Sequence, residues 1–529
     1  MATGCERSTR PACPAGKLCL EAGNQAEPAS LDPHRNTSVQ GDNIISDMFV
    51  GLITAGPDGK PMPGMATSWT TSPDGLVWTF KLRDANWSDG VPVTAQDFVF
   101  SMRRVQDPKS PSEYSYLAYP LKNAEQVNEG KAPAEALGVR AVDPHTLEIR
   151  LEHPVPYLPQ LLGHHLFAPV PEHVVRKRGD AWIRPGSLVA NGPFTLASWT
   201  LGGSIRLTKN PRFYDADNVC LDEVRYYPTV DSVSAERRVR SGELDLNIDI
   251  QSNRIAYLRQ PDQIPAYVHT YTWLGVTYLA FNTNLAKFKD RRVRQALTMA
   301  IDRDFIVGKL FRSGMQPAYA FTPPGVDGYP GGVKPYWGDW PLERRQAEAR
   351  RLLAAAGYGP DRPLKLEIKH RNSADPVLYM PAVQADWRAI GVDVSLTSNE
   401  GQIAYQSYRI RDFEVGDASW IADYDDASSF LTLMQSKTGP TNYGDYKNPA
   451  YDALLAKADN EADAVKRAAH LMQAEKMMLE DAPVAPVFFY ISKNLVNPNV
   501  TGWVDNVPDH HRKRWLCFKD AAARRAGKG

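Results

Sequence analysis

The first part of the chain alternates short apolar segments with turns. The segment Leu76–Leu82 alternates apolar and polar side chains with a period of two, which predicts a half-buried strand after the turn Ser72–Gly75. Thr94 is followed three residues later by Asp97, and this spacing predicts a helix N-terminus. The pattern predicts mixed helix and strand.

Longer helical periods occur in the second half. One helical face is predicted from the apolar positions Val293, Leu297, Ala300 and Ile301. A second helix is predicted between Pro341 and Gly357, and residues 450–480 predict a helical pair before an apolar strand at 487–491. Strands at Leu364–Ile368 and Val392–Leu396 flank a further helix, which predicts a βαβ unit. The fold class expected from these elements is mixed α/β.

The length and the charge balance narrow the classes of protein. The 529 residues predict several structural units, and residues 6–30, rich in Pro, Ala, Gly and Glu, predict a surface arm with structure beginning near Leu31. Lys plus Arg and Asp plus Glu are both 61, so no uniform field attracts nucleic acid or anionic lipid. No apolar run approaches 18 residues, and we expect no membrane span.

The cysteines are unevenly distributed, at Cys5, Cys13, Cys19, Cys220 and Cys517. Ala2-Thr3-Gly4-Cys5 looks like the end of a bacterial lipobox, so we expect lipidation at Cys5 and interpret Met1 as a start codon added to a truncated chain. The other four allow three disulfide pairings. We favour Cys13 with Cys19 and Cys220 with Cys517, and free thiols stay open as the alternative.

Common catalytic and metal-binding motifs are missing from the sequence. It has no Gly-x-Ser-x-Gly, His-Glu-x-x-His, Walker or Gly-x-Gly-x-x-Gly motif. Asp215–Asn218 begins like a calcium loop, but Cys220 replaces the turn glycine, so we interpret it as a turn. The doublets His164-His165 and His510-His511 lack ligand spacing, and we interpret them as satisfied or exposed histidines. We expect no catalytic residue, metal or cofactor.

The segment 412–426 is the most unusual in the chain, because it holds six carboxylates and no base. Within it, Ala418–Ala422 has little side-chain polarity and is compatible with a strand edge whose backbone N–H and C=O groups bond another chain. A solvated acidic loop explains the same segment. Both interpretations stay open on these residues alone.

Ordered motifs along the chain resemble the oligopeptide-binding proteins of ABC importers, a class of extracytoplasmic solute-binding proteins. The motifs are Ser30–His34, Gly64–Trp69, Trp78–Arg83, Trp87–Phe98, Leu147–Leu151, Asn191–Phe194, Asn210–Tyr214, Ser241–Asp245, Val293–Leu297, Ile301–Asp304, Phe321–Pro324 and Trp420–Tyr424. The resemblance implies a bilobal flytrap with two hinge crossings, near Trp273 and Pro486. It further implies an N-terminal tether at 1–28, domain I at 29–43, 171–272 and 487–529, an inserted domain II at 44–170, and domain III at 273–486.

The same resemblance implies the ligand-binding residues. Asp423 matches the carboxylate that pairs with a peptide α-amino group. Backbone segments that sandwich the peptide match Ser419, Trp420, Ile421 and Val39, cleft aromatics match Tyr114, Trp273 and Tyr278, and Asp425 is a further candidate. An enclosed charge-assisted hydrogen bond is roughly twice as strong as a neutral one, so Asp423 is the expected main anchor.

Departures from the family pattern carry an expectation about the ligand. Asp417 replaces an arginine that faces the ligand carboxylate, Phe311 replaces a lysine, and Gly275 and Ile421 replace a cysteine pair. An acid in place of a cation reverses the local field by two charges, so Asp417 is expected to bind a cationic side chain. We therefore expect cationic, arginine-containing peptides or a related basic metabolite.

These inferences predict a lipid-anchored, monomeric, extracytoplasmic receptor that delivers peptides to an ABC permease. The Arg- and Pro-rich composition and the lipobox-like start resemble the actinobacterial members encoded in clavulanic acid gene clusters, which implies a role in antibiotic biosynthesis. Two alternatives stay open: a biosynthetic enzyme on this scaffold, such as a peptidase or an amide-forming catalyst, and a peptide-binding chaperone or signalling receptor.

Overall fold

A computed structural model of the chain describes residues 10–110 and 112–527. The chain divides into two compact units. The first unit contains residues 10–250, 259–270 and 493–527, and the second contains 251–258 and 271–492. The three-domain boundaries and the lipidation of Cys5, which lies outside the described residues, stay predictions.

The elements follow one another in a mixed order. The strands are β1 (Cys19–Gly23), β2 (Ile53–Ala55), β3 (Pro61–Pro63), β4 (Ala66–Thr71), β5 (Val77–Leu82), β6 (Val139–Asp143), β7 (Thr146–Arg150), β8 (Phe194–Trp199), β9 (Ile205–Lys209), β10 (Glu223–Tyr227), β11 (Leu246–Ile248), β12 (Val268–Phe281), β13 (Gln316–Pro317), β14 (Leu364–Arg371), β15 (Val392–Asn399), β16 (Val415–Ile421), β17 (Val484–Val496), β18 (Val500–Thr501) and β19 (Cys517–Phe518). The α-helices are α1 (Val39–Met48), α2 (Ala95–Val105), α3 (Ala124–Asn128), α4 (Leu158–Leu161), α5 (Glu172–Arg178), α6 (Ser232–Arg240), α7 (Ile255–Leu258), α8 (Ala286–Lys289), α9 (Arg291–Ala300), α10 (Arg303–Phe305), α11 (Leu342–Ala355), α12 (Ala374–Ala389), α13 (Gly401–Arg409), α14 (Ser428–Leu431), α15 (Pro449–Asp459), α16 (Ala464–Asp481) and α17 (Ala521–Arg525).

The main sheet of the first unit runs β11-β1-β10-β9-β8, with the end of β17 beside β11. β1 is parallel to both neighbours, and the pairs β10-β9 and β9-β8 are antiparallel. A separate antiparallel sheet has the order β4-β5-β7-β6 and includes the strand predicted at 76–82. The predicted cap of α2 is confirmed, because the Asp97 carboxylate accepts a hydrogen bond from the Thr94 N–H at 2.8 Å.

The expectation of a surface arm up to residue 30 is wrong. Strand β1 is fully buried between β10 and β11. Before it, the Arg10 guanidinium forms an ion pair with the buried Asp245 at 2.7 Å. The pairing partners of β1 lie about 200 residues further along the chain, so no local period marks this strand.

Both favoured disulfides are confirmed, and both lie within the first unit. Cys13 pairs with Cys19, and Cys220 pairs with Cys517 across 297 residues. The turn interpretation of Asp215–Asn218 is also confirmed, because this segment contains one 3-10 turn, Ala216–Asn218. The open alternative of free thiols is therefore wrong for these four cysteines.

The sheet of the second unit has the order β15-β14-β16-β12-β17, with β13 beside β17. The predicted βαβ unit is confirmed, since β14 and β15 are parallel and α12 connects them. The helices predicted from residue 293, from Pro341 and within 450–480 are α9, α11 and the pair α15 and α16. Among the described residues, no helix combines the length and apolar content needed to cross a membrane.

Candidate ligand-binding site

The predicted site residues fall in both units. Val39 and Tyr114 belong to the first unit, and the second unit contains Trp273, Tyr278, Asp417, Ser419, Trp420, Ile421, Asp423 and Asp425. The members in the second unit lie on β12, on β16 and in the loop that follows β16. Strand β16 therefore provides the framework of the candidate site.

Strand β16 pairs along its whole length with one neighbouring strand and only at its first two residues with the other. It pairs with β12 along its whole length, from Phe281 opposite Val415 to Gly275 opposite Ile421. On its other side β14 pairs only with Val415 and Gly416. Among the described residues, no other strand of this unit pairs with the rest of β16 on that side. The strand-edge interpretation is therefore confirmed for 418–421, and the acidic-loop interpretation is wrong there.

The direction of the backbone groups along this edge follows from one hydrogen bond. The Ala422 N–H donates to the Leu274 carbonyl at 2.8 Å, so this pair faces across the β12–β16 ladder. Because the direction alternates along an antiparallel pair, the N–H and C=O groups of Ser419 and Ile421 point away from β12. They form a row of donors and acceptors where β14 has already left the sheet.

Asp417 is expected from the sequence to bind a cationic side chain of the ligand, but the cation that it contacts in the structure is Arg371 of the same unit. Its carboxylate is fully buried and accepts hydrogen bonds from Arg371 Nε at 2.8 Å and Arg371 Nη2 at 3.2 Å. The Tyr379 hydroxyl donates a further bond at 2.6 Å. Arg371 belongs to β14, 46 residues before Asp417, so the composition of segment 412–426 gives no sign of it.

Three other acids of the segment are also paired with distant cations. Asp412 contacts Lys369 at 3.0 Å, Glu414 contacts Lys287 at 2.7 Å, and Asp426 contacts Arg467 at 2.7 Å. The Asp426–Arg467 pair is buried, and Asp426 also accepts bonds from the N–H and hydroxyl of Ser428. Four of the six carboxylates thus have a structural role, which the sequence-based charge argument overlooked.

The loop after β16 presents the other two acids. The Asp423 N–H donates to the Ser429 hydroxyl at 3.0 Å, which ties the backbone of Asp423 to α14. Asp425 is half-buried and accepts the Asp327 N–H at 2.9 Å. Burial raises the pKa of Asp425, and no Lys, Arg or His among the described residues forms an ion pair with it. A desolvated carboxylate without a cation is a favourable neighbour for a positive group.

The aromatic residues of the second unit carry buried polar atoms without partners. Trp273 packs edge-on against Tyr490 with ring centroids 5.9 Å apart, and Tyr278 packs in the same way against Phe321 at 5.1 Å. Within the described part of the chain, Trp273 Nε1, Tyr278 Oη and Trp420 Nε1 are buried and have no hydrogen-bond partner. Buried polar groups are nearly always paired in native proteins, so three orphans on two adjacent strands call for an explanation.

Other predicted positions have plain structural roles. Gly275 and Ile421 are direct cross-strand neighbours, and a Cβ on Gly275 would lie 2.4 Å from Ile421 Cδ1. Phe311 is fully buried and packs edge-on against Phe488 at 5.1 Å. Phe311 therefore belongs to the apolar core of the second unit.

In the first unit, Val39 is the first residue of α1 and is 40% exposed, and the Ser38 hydroxyl caps this helix by accepting the Gly41 N–H. Tyr114 packs edge-on against His164 at 5.4 Å. His165 contacts Asp42 at 3.0 Å, so the interpretation of satisfied histidines is confirmed for it. No group of three or more metal-ligating side chains occurs among the described residues.

Comparisons with known proteins agree with this architecture. The family model described as bacterial extracellular solute-binding proteins, family 5, middle region, matches residues 60–442. The periplasmic oligopeptide-binding protein OppA of Escherichia coli K12 is 39% identical over 498 residues, which cover 93% of this chain and 91% of that protein.

Two solved structures share the fold. The murein tripeptide-binding protein MppA of E. coli gives a TM-score of 0.89 at 36% identity, covering 95% of this chain and 98% of that one. Haemophilus influenzae OppA in complex with RPPGFSPFR gives 0.88 at 33% identity, covering 95% and 99%. These similarities confirm the predicted mixed α/β fold class, and the relatives are named as binding proteins rather than enzymes.

Proposed function

The chain belongs to family 5 of the bacterial extracellular solute-binding proteins, and we propose that it is a peptide-binding receptor of an ABC importer. The observation that carries this proposal is the row of backbone groups at Ser419 and Ile421, which β14 does not pair. An exposed strand edge binds an extended peptide as an added strand, through main-chain hydrogen bonds. The partner that receives the peptide is a membrane permease.

The peptide lies along β16 in this proposal. Its N–H and C=O groups bond to Ser419 and Ile421, where the sheet has an open position. Main-chain bonding is independent of the peptide's side chains, which suits a receptor for more than one sequence. The orphan N–H groups of Trp273 and Trp420 and the Tyr278 hydroxyl supply further partners for a bound ligand or its water.

Asp423 binds the α-amino group of the peptide in this proposal. It follows the strand by two residues, and the bond from its N–H to Ser429 holds its backbone in place. A carboxylate at the end of the strand edge sets the position of the peptide N-terminus, so the peptide binds in one register. Charge assistance makes this the strongest single polar contact of the complex.

The narrower preference for cationic, arginine-containing peptides or a basic metabolite now depends on Asp425. Arg371 neutralises Asp417, whereas Asp425 has a pKa raised by burial and no cationic partner among the described residues. A guanidinium or ammonium group close to Asp425 would restore the solvation that the carboxylate has lost. Lipid anchoring at Cys5, a monomeric state and a role in clavulanic acid biosynthesis stay predictions, which neighbouring genes and mass analysis of the mature protein would test.

Calorimetry with backbone-modified peptides tests the proposal. We expect the protein to bind Ala-Arg-Ala, and we expect N-methylation of its peptide nitrogens to weaken binding at least about tenfold, because each lost main-chain hydrogen bond costs on the order of 1 kcal/mol. Free L-arginine is the control that separates a peptide receptor from a receptor for a basic metabolite. Equal affinities for the methylated and unmethylated peptides would contradict strand addition.

A further inference from the structure

Arg371 lies where the pairing of two strands ends. β14 and β16 are in register at Ile368 with Val415 and at Lys369 with Gly416, and the ladder stops there. Arg371 is the last residue of β14, and its side chain fills the place beside Asp417 and Ser419. A cation therefore stands at the beginning of the open edge of β16.

Some N–H donors of the Arg371 guanidinium have no acceptor among the described residues. Arg371 Nε and Nη2 donate to the two oxygens of Asp417, and Nη1 donates to the Ser419 hydroxyl at 3.0 Å. A guanidinium has five N–H groups, so one on Nη1 and one on Nη2 have no partner among the described residues. Its side chain is 14% exposed, and a buried donor without a partner is costly.

Two residues with hydroxyl groups, Ser419 and Tyr405, lie beside this cation. The Tyr405 hydroxyl is 3.2 Å from the Ser419 hydroxyl, and the Arg371 guanidinium carbon lies 5.6 Å from the centre of the Tyr405 ring. The place is therefore rich in donors, and it suits an acceptor group of a ligand.

We infer that Arg371 is a specificity-determining residue that binds a carboxylate group of the ligand, an inference that rests on the proposed peptide-binding function. Arg371 offers two terminal N–H groups, which a carboxylate accepts with favourable geometry. Because Asp417 cancels the net charge of the guanidinium, donor geometry rather than a long-range field gives the selectivity. The chemistry is shared by a peptide C-terminus and by an Asp or Glu side chain.

Asp417 and Tyr379 are positioning residues in this inference. The bidentate bond from Arg371 to Asp417 fixes the plane of the guanidinium, and the Tyr379 hydroxyl fixes the carboxylate in turn. Asp417 is fully buried and does not reach the ligand. This assignment replaces the expectation that Asp417 itself binds a cationic side chain.

Calorimetry with matched peptides tests Arg371. The probes are Ala-Arg-Ala as the free acid, the same peptide as its C-terminal amide, and Ala-Arg-Glu amide, which returns a carboxylate on a side chain. We expect Arg371→Gln to weaken the free acid at least about tenfold and the Ala-Arg-Ala amide less than about twofold. The matched control is Lys369→Gln, which removes a cation from the same strand and should leave all three affinities unchanged.

A double variant keeps the test valid if Asp417 is destabilised by the loss of its cation. The double variant Arg371→Gln with Asp417→Asn removes both charges, and a thermal unfolding measurement checks that this variant is folded. Selective weakening of the free acid supports a C-terminal carboxylate, and selective weakening of Ala-Arg-Glu amide supports a side-chain carboxylate. Equal losses for acid and amides would overturn the inference and leave the proposed function standing. Binding of no probe by the unmodified protein would overturn the proposed function, and this inference with it.

Discussion

Arg371 and Asp417 form a bidentate ion pair in which both side chains are largely withdrawn from water, with contacts of 2.8 and 3.2 Å. Such a pair does not add much net stability, because desolvation of both charges offsets their attraction. Removal of one partner is different, since the other charge stays buried and unpaired. We therefore expect a variant that loses one of the two charges to be less stable than a variant that loses both.

The first prediction concerns the stability of this pair. We expect Asp417→Ala to lower the free energy of unfolding by about 3–5 kcal/mol, because Arg371 is left as a buried unpaired cation. Combining it with Arg371→Met should recover a large part of the loss. Urea unfolding measures both values, and the control is the pair of Lys369 with the exposed Asp412, where truncation should cost about 0.2–1 kcal/mol. Losses that simply add in the double variant would contradict the coupling.

The second prediction concerns the amine anchor. We expect Asp423→Asn to weaken a peptide with a free α-amino group at least about tenfold, because the charge of the carboxylate is lost while its shape is kept. The N-acetylated form of the same peptide should lose far less. Calorimetry on both forms makes the comparison. If both forms weaken by the same factor, Asp423 is not the amine anchor.

Local patterns in the sequence were sufficient to predict several helices and strands. The βαβ unit of β14, α12 and β15 follows from periodicity, and the cap of α2 follows from the spacing of Thr94 and Asp97. These features depend on residues close together in the chain. The segment that forms the candidate site could be predicted because the strand Val415–Ile421 and the acids around it lie in one continuous stretch of sequence.

Features that depend on residues far apart in the chain could not be predicted from the sequence. Strand β1 has no period of its own and is defined by pairing with β10 and β11. Arg371 reaches Asp417 because the parallel register of β14 and β16 places the last residues of β14 beside the first residues of β16. Counting charges within one segment cannot find such partners, and this is why the acidic run looked uncompensated.

The third prediction concerns a buried carboxylate that holds the loop 321–329. Glu475 on α16 accepts the N–H groups of Phe321 and Thr322 and the hydroxyl of Tyr329. Burial raises the pKa of Glu475, so its charged form is disfavoured in the fold. Glu475→Ala should cost about 2–3 kcal/mol because three donors lose their acceptor. Glu475→Gln keeps a carbonyl acceptor and should change stability by less than about 1 kcal/mol.

Urea unfolding separates the Glu475 variants, and hydrogen exchange at Phe321 and Thr322 reports whether the loop opens. The alanine variant should exchange faster at these two amides than the glutamine variant. Equal losses of stability in the glutamine and alanine variants, both of which lack the charge, would show that the negative charge itself, rather than the acceptor, holds the loop.

The last prediction concerns the pH dependence of cation binding at Asp425. Burial raises the pKa of this carboxyl above its ordinary value of 3.8 in the protein without ligand. A bound guanidinium favours the ionised form, so binding is strongest above the raised pKa and weakens as the pH falls through it. Affinity for Ala-Arg-Ala should therefore start to fall at a higher pH than an ordinary aspartate would give.

Asp425→Asn should remove this part of the pH dependence and weaken Ala-Arg-Ala more than Ala-Ala-Ala, which has no side-chain cation. Because Asn keeps an oxygen acceptor for the Asp327 N–H, the loop contact at 2.9 Å is retained and the variant reports on charge. Titration calorimetry across the acid range with both peptides makes the measurement. An unchanged pH profile, or equal weakening of the two peptides, would place the cation-binding group elsewhere in the second unit.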